Sequence, residues 1–279
     1  MTLAGYLADL AGRLGVALCL TPREARLEAR VLAATALAVE PVWLIAHDTD
    51  LLGPQQRAAL DAVFERRLAG EPVAYVLGKR EFYGRVFRVS PATLIPRPET
   101  EHLVEAALSH GLDAARVLDI GTGSGCIAIT LKLERPDWSV CAVDVSADAL
   151  AVAQANGERL GAAVKWLESD LFAALAERKF DLIVSNPPYV PTGDRHLGQG
   201  DVRFEPKGAL ASGLDGLDAI RAIVRQAPAH LEPGGWLLLE HGYDQGEAVP
   251  ALLAVTGYTE VFMACDLAGQ PRVSGGRCV

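Results

Sequence analysis

Apolar residues recur at helical spacing through the first seventy or so positions, as at Leu3, Leu7, Leu10 and Leu14, in a stretch rich in Ala, Leu and Arg. That texture predicts a bundle of short helices. Thr21-Pro22-Arg23-Glu24 fits a helix start, with Thr21 as N-cap, Pro22 at the first helical position and Glu24 closing the box before Leu27, Val31 and Leu32. Glu40-Pro41 and Gly53-Pro54 mark two further boundaries.

From Tyr75 the pattern changes. Glu81 to Val89 alternates large apolar and polar residues around Gly84, which predicts a hairpin. Leu94 to Glu101 carries two prolines that disfavour helix before Thr100, so an extended segment feeds a helix from about Glu101. Apolar runs then follow at Arg116 to Ile120, Val140 to Val145, Val164 to Leu167, Asp181 to Ser185 and Trp236 to Glu240, separated by helical stretches. The alternation predicts an α/β domain with a largely parallel sheet and helices on both faces. Thr259 to Cys265 and Arg272 to Val279 have only a short turn between them and predict a closing antiparallel hairpin. The expected organisation is a helical domain over 1–75, a linker with a β-hairpin over 76–93, and the α/β domain over 94–279.

Length and composition fit this reading. A chain of 279 residues, 50% hydrophobic and 22% charged, can bury a real core in one or two domains, which excludes disorder and small disulfide scaffolds. The net charge of −9 weighs against nucleic acid as a partner, because neutralising phosphate needs clustered Lys and Arg. Met1 to Gly78 holds 7 basic and 9 acidic residues, so the helical part is no basic module either. Five scattered cysteines, none spaced as CxxC, point to a reducing compartment with neither disulfides nor zinc. Asp9 and Arg13 interrupt the only leader-like stretch, and no uncharged run reaches the ~18 residues of a membrane span. A soluble, cytoplasmic protein is expected.

The first candidate for chemistry is a glycine loop. Val117 to Ile120 runs into Gly121, Thr122, Gly123, Ser124 and Gly125, with a helix expected from Cys126. Glycines let the chain turn sharply and approach a ligand closely, and the helix start offers free N–H groups. Asp144 ends the next strand, where a carboxylate can accept hydrogen bonds from both hydroxyls of a ribose. The spacing is GxGxG rather than GxGxxG, which fits a dinucleotide poorly and S-adenosylmethionine better, since the latter needs no pyrophosphate cradle. Asp119 and Asp170 end strands on the same edge. Each either reaches the cofactor, Asp170 near the adenine amine and Asp119 near the amino-acid end, or caps the next helix.

The fourth strand runs directly into Asn186, Pro187, Pro188 and Tyr189. Two prolines cannot donate to a sheet ladder, so the strand stops and its carbonyls are free to face a ligand. This suits methylation of a planar NH₂ group, whose delocalised lone pair makes it a weak nucleophile. The Asn186 side-chain oxygen and the Pro187 carbonyl can each accept one N–H, aiming the nitrogen and stabilising the charge that develops on it. Tyr189 is expected to pack on the flat face of the substrate group.

With these residues in place, the chain resembles the release factor N5-glutamine methyltransferase family. The resemblance covers nearly the whole length: the helical start, the hairpin, LIPRPETE at Leu94 to Glu101, DIGTGSG at Asp119 to Gly125, NPPY at Asn186 to Tyr189, and EPKGALASGLDGL at Glu205 to Leu217. It implies a Rossmann-like S-adenosylmethionine-dependent methyltransferase domain that methylates the glutamine amide in the Gly-Gly-Gln loop of bacterial peptide chain release factors. Carried over by motif, Gly121 to Gly125 line the methionine end of the cofactor, with Asn186 beside it, and Asp144 holds the ribose. Leu171, next to Asp170, falls where relatives often carry a large apolar residue beside adenine. Asn186 to Tyr189 hold the substrate glutamine. No metal, nucleic acid or membrane is implied.

Two rivals follow from the same residues. A nucleic-acid amino-methyltransferase, acting on adenine N6 or guanine N2, uses the same four residues but calls for a basic face. A non-catalytic adenosine-binding protein has no reason to retain Asn186 with both prolines and the tyrosine. Arg97 and Glu99 either belong to the site or form an ion pair fixing the linker, and Gly213 to Gly216 reads as a lid or a plain turn. The six histidines show no ligand spacing.

Overall fold

A computed structural model describes residues 1–279, which form two compact units: Met1–Lys79 with Gly198–Phe204, and Arg80–Leu197 with Glu205–Val279. The first unit contains α1 (Leu3–Leu18), α2 (Pro22–Ala36), α3 (Pro41–Ala46), α4 (Pro54–Leu68) and α5 (Val73–Leu77). Prolines open α2, α3 and α4, where the missing N–H has no helical partner to lose. Thr21 caps α2 as its sequence predicts: its Oγ1 accepts the Glu24 N–H at 3.3 Å, and the Glu24 carboxylate accepts the Thr21 N–H at 2.8 Å.

Leu3, Leu10, Leu14, Leu32, Leu60 and Phe64 fill the core of this unit. Within it Arg67 is only 3% exposed, yet fully partnered: its guanidinium donates to Glu28, to the carbonyl of Glu71 and to Asp201. Asp201 lies 134 residues further along the chain, in the short segment that joins these helices. No periodicity in the sequence announces that segment's membership.

The second unit opens with a hairpin of β1 (Lys79–Phe82) and β2 (Arg85–Arg88). In order come α6 (Glu101–His110), β3 (Arg116–Ile120), α7 (Cys126–Glu134), β4 (Ser139–Asp144), α8 (Ala147–Leu160), β5 (Lys165–Glu168), β6 (Phe180–Ser185), α9 (Asp218–Gln226), β7 (Leu231–Glu240), α10 (Ala248–Val255), β8 (Thr259–Cys265) and β9 (Pro271–Arg277). Seven strands make one sheet in the order β5-β4-β3-β6-β7-β9-β8, parallel from β5 to β7 and closed by the antiparallel β8–β9 hairpin. Each face of this sheet has its own core. Leu103 and Val104 of α6 and Ile127 of α7 pack with Val117 on one side; Ile220 and Ile223 of α9 and Leu253 of α10 pack with Leu118 on the other. Successive residues of β3 therefore serve opposite layers, which is why the parallel strands read as unbroken apolar runs.

Two expectations need correction. No helix separates β5 from β6; residues 169–179 cross in turns. β7 begins at Leu231 rather than Trp236, taking in Pro233-Gly234-Gly235, and its pairing with β6 shifts register between Phe180 and Leu182 to accommodate them. No helix is long and apolar enough to cross a membrane.

Register decides what meets at the sheet edge. Ile120 pairs with Val143 and with Ser185, and Ser185 with Leu239, so the chain after β3, β4, β6 and β7 emerges along one line. Between β3 and β6 the strand order reverses, and their following loops diverge to leave a crevice.

Candidate active site

That crevice is a cavity of about 450 Å³ within the second unit. Its size lies in the ~300–1,000 Å³ range of small-molecule sites. The glycine loop forms one wall. Gly121 and Thr122 both donate their backbone N–H to Val143 O, at 2.9 and 3.0 Å, so the loop is folded back over the end of β4. Gly121 and Gly123 have φ of +71° and +55°, and a Cβ at either would meet no protein atom within 4 Å. The loop thus presents bare backbone to open space, a conformation and an approach that favour glycine. Asn156, fully buried in α8, braces it from behind: Nδ2 donates to Ser124 O and to Arg88 O, each at 2.9 Å.

Asp144 stands half-buried beside the loop. Its Oδ2 accepts the Gly123 N–H and its Oδ1 the Ser146 N–H, both at 2.9 Å. The N-cap of α8 is Ser146, so Asp144 is left to line the cavity, with lone pairs remaining on both oxygens. Asp170 and Leu171 border the same cavity, Asp170 exposed and Leu171 held at φ +48°. Asp119 does not reach it. The residue is completely buried, its Oδ2 accepts from Thr122 Oγ1 at 2.6 Å, and burial above all pushes its carboxyl up to about 7. Its work lies under the loop, because a carboxylate inside the sheet needs the nearest hydroxyl more than it can reach a ligand.

The opposite wall comes from the end of β6. Ser185 is tied to the neighbouring strand by a hydrogen bond from its Oγ to Ile120 O at 2.7 Å, and Asn186, Pro187 and Pro188 follow on the cavity surface. Asn186 Nδ2 donates to Thr100 Oγ1 at 3.1 Å. An amide whose N–H side is held in this way is left with Oδ1 as its free acceptor.

Tyr189 departs from expectation. It is absent from the cavity wall, packs on the core beneath α9 and α10, and donates its hydroxyl to Glu240 Oε1 at 3.3 Å. A partly buried phenol still calls for an acceptor, and Glu240, 1% exposed at the end of β7, supplies one. Burial raises the Glu240 carboxyl to about 7 against the opposing pull of Thr100 and Tyr189, and raises the Tyr189 phenol as well.

Arg97 lines the cavity and pairs with Glu205, not Glu99; the Glu205 side chain is fully buried and also accepts the Ile95 N–H at 3.0 Å. This clamp joins the LIPRPETE and EPKGAL segments over the site. Gly213 to Gly216 is an anchored turn: Gly213 O accepts from Thr192 N at 2.8 Å, and Gln245 Nε2 donates to both Tyr189 O and Asp215 O. Asn156 and Gln245 carry no distinctive sequence signal, whereas Thr100 and Glu205 lie in the LIPRPETE and EPKGALASGLDGL segments, and Glu240 ends an apolar strand on the same edge as Asp144.

The donor set fits S-adenosylmethionine: bare glycine backbone for the methionine portion, a carboxylate for two ribose hydroxyls, and Val145 and Leu171 to cover a flat base. Comparison with known proteins agrees. Residues 99–199 match the family described as methyltransferase small domain, and residues 17–78 match the PrmC N-terminal domain. The fold is shared with a methyltransferase of Pyrococcus furiosus (TM-score 0.55, 19% identity, covering 78% of this chain and 98% of that one). It is shared also with a T. thermophilus 16S rRNA methyltransferase in complex with AdoMet and guanosine (TM-score 0.53, 25% identity, covering 72% and 50%). Fold and site together define an S-adenosylmethionine-dependent methyltransferase with a Rossmann-like sheet.

The full-length relatives are more particular. The chain is 54% identical to the release factor glutamine methyltransferase of Bordetella pertussis, over 90% of this chain and 94% of the relative, and 49% identical to that of Neisseria gonorrhoeae, over 90% and 93%. It belongs to the release factor glutamine methyltransferase family.

Proposed function

We propose that the chain methylates the side-chain amide nitrogen (N5) of the glutamine in the Gly-Gly-Gln loop of peptide chain release factors, with S-adenosyl-L-methionine as donor and S-adenosyl-L-homocysteine as product. The observation that carries this reading is Asn186, an amide anchored through its N–H to Thr100 and left with an acceptor oxygen, in a cavity that it shares with the glycine loop and Asp144.

Bound against the glycine loop and Asp144, the cosubstrate supplies an electrophilic methyl on a sulfonium. Asn186 Oδ1 and the Pro187 carbonyl each accept one N–H of the glutamine amide, so its nitrogen is held in one orientation. As that nitrogen becomes positive, its remaining N–H bonds polarise and both acceptors interact with it more strongly than in the ground state. Pro187 and Pro188 contribute rigidity, with no N–H to compete for the same carbonyls. No strong base is required, since the methylated amide loses its proton to water once the new C–N bond has formed. Asp144 holds the ribose, while Asp170 and Leu171 flank the adenine.

Recognition of the rest of the release factor falls to the helical unit, whose α3 exposes Val42 and Ile45 at 69% and 62%, three residues apart on one helix face. A release factor substrate puts the reaction in the cytoplasm, and the acidic net charge favours a protein over a nucleic acid as acceptor. The test is a labelled-methyl assay offering purified release factor, its loop variant with glutamine replaced by alanine, DNA and RNA. Transfer is expected only to the intact release factor; label on DNA or RNA, or undiminished label on the alanine variant, overturns the reading.

A further inference from the structure

Three segments of the α/β unit converge on one side chain. Gln245, in the turn after β7, is 5% exposed; its Nε2 donates to Tyr189 O at 3.0 Å and to Asp215 O at 3.4 Å, and its Oε1 accepts the Gly242 N–H at 3.0 Å. Two carbonyls face the nitrogen and an N–H faces the oxygen, so all three partners agree on one orientation of the amide. A side chain with two donors and an acceptor satisfies the three at once, which a hydroxyl or a carboxylate does not. The neighbouring turn is shaped to receive it. Gly216 runs at φ +78°, and a Cβ there would lie 2.1 Å from Tyr189 O and 2.8 Å from Gln245 Nε2, so the contact depends on position 216 having no side chain.

Tyr189 O matters through the plane to which it belongs. A peptide group is planar, so the Tyr189 carbonyl and the Val190 N–H turn together. The N–H donates to Leu210 O at 2.9 Å and the carbonyl accepts from Gln245, which pins the plane at both edges. Beyond it, Ser212 N–H donates to Val190 O at 2.9 Å and Thr192 N–H to Gly213 O at 2.8 Å, so residues 190–192 run as a short parallel ladder along 210–213. Upstream, Pro187 and Pro188 have no N–H with which to anchor the chain, and the ring of Pro188 fixes its φ. Few free torsions therefore separate the pinned plane from the Pro187 carbonyl, and the direction of that carbonyl follows from the plane.

We propose that Gln245 is a positioning residue for methyl transfer: by holding the Tyr189 carbonyl against the Asp215–Gly216 turn, it sets the direction in which the Pro187 carbonyl, and Asn186 before it, meet the acceptor amide. The stretch Ala209 to Gly216 is then the fixed rail along which the acceptor segment lies, and not a lid. This rests on the proposed transfer to a glutamine amide, and it is tested so that the two can fail separately.

Gln245→Met keeps the length of the side chain and removes all three hydrogen bonds. For this variant kcat for release factor methylation is expected to fall about tenfold, because small misplacements of reacting groups are costly, while S-adenosylmethionine Kd stays within about twofold, since Asp144 and the glycine loop are untouched. Gly216→Ala disturbs the same carbonyl from the other side. The double variant Gln245→Met with Gly216→Ala is expected to lose less than the product of the two single losses. Gln245→Met with Asp144→Asn is expected to show both effects undiminished, one on kcat and the other on Kd.

A second measurement needs no turnover. In the wild type the Gln245 side-chain ¹⁵N–¹H₂ protons are expected to be protected from exchange. In Gln245→Met the Val190 N–H is expected to exchange about tenfold faster, while the Gly123 N–H, held by Asp144, keeps its rate. If the wild type transfers no methyl to release factor, the proposed function falls, and these exchange rates still decide the positioning. Gln245 protons that exchange like those of a free amide, a Val190 rate unchanged in Gln245→Met, an unchanged kcat, multiplicative losses with Gly216→Ala, or cofactor affinity falling in step with kcat overturn the role of Gln245.

Discussion

Asp144 accepts the backbone N–H of Gly123 at 2.9 Å, so the acid at the end of β4 and the glycine loop after β3 form one structural unit. A residue proposed to hold the ribose therefore also shapes the glycine loop beside it. Asp144→Ala is expected to weaken S-adenosylmethionine binding by about 100-fold, more than the loss of ribose hydrogen bonds alone, because Gly123 is released too. Asp144→Asn keeps an oxygen for Gly123 and is expected to lose about tenfold. Calorimetric titration measures both, and equal losses in the two variants contradict the shared role.

Asn186 has the opposite profile. Replacing it with Ala removes an acceptor whose interaction strengthens as charge develops, so kcat is expected to fall by roughly 10²–10³. Cofactor affinity should stay within a few-fold of wild type. Stopped-time methylation assays with saturating release factor, alongside cofactor titration, separate the two quantities; a parallel collapse of cofactor binding refutes the assignment.

Asp119 couples the site to pH through stability. Its carboxyl is raised from an ordinary 3.8 to about 7, chiefly by burial, with the nearby Asp144 charge adding to the effect. A folded-state value above the unfolded one means that the protonated form favours folding: the contribution is whole below pH 3.8 and is lost as pH rises through about 7. Asp119→Asn mimics the neutral acid at every pH. Its melting temperature relative to wild type is therefore expected to rise between pH 4 and pH 8, and a difference independent of pH counts against a buried neutral Asp119.

Gly216 and Gly269 share a left-handed backbone, at φ +78° and +77°, but not a setting. A Cβ on Gly216 would lie 2.1 Å from Tyr189 O, whereas one on Gly269 would meet nothing within 4 Å. Gly269→Ala should cost about 1 kcal/mol, from backbone strain alone. Gly216→Ala should cost about 2–4 kcal/mol and lower kcat as well, since the Tyr189 carbonyl must move with the segment that carries Asn186. Urea unfolding of both variants checks the contrast.

Much of this architecture is legible in the sequence. The capping box at Thr21, the strand at Arg116–Ile120, the glycine loop, and the strand that stops at Asn186 all carry signals within a few residues, where periodicity, φ preference and the missing proline N–H are decisive. The alternation predicts a helix where turns join β5 and β6, because a short apolar stretch, Leu171 to Leu175, mimics a helical turn when its tertiary partners are unseen.

The sequence by itself determined the class of sheet, the glycine loop at its edge, and the residues suited to an amide acceptor. Tertiary structure decided how those residues are held. Asn186 finds Thr100 across 86 positions, Tyr189 finds Glu240 across 51, and Arg97 finds Glu205 across 108. Such pairings follow from strand order and register, which bring distant chain segments to one sheet edge. Hydrogen-bond partners at that range have no period and no spacing to read, so Tyr189 is expected at the substrate yet packs on the core with its hydroxyl on Glu240.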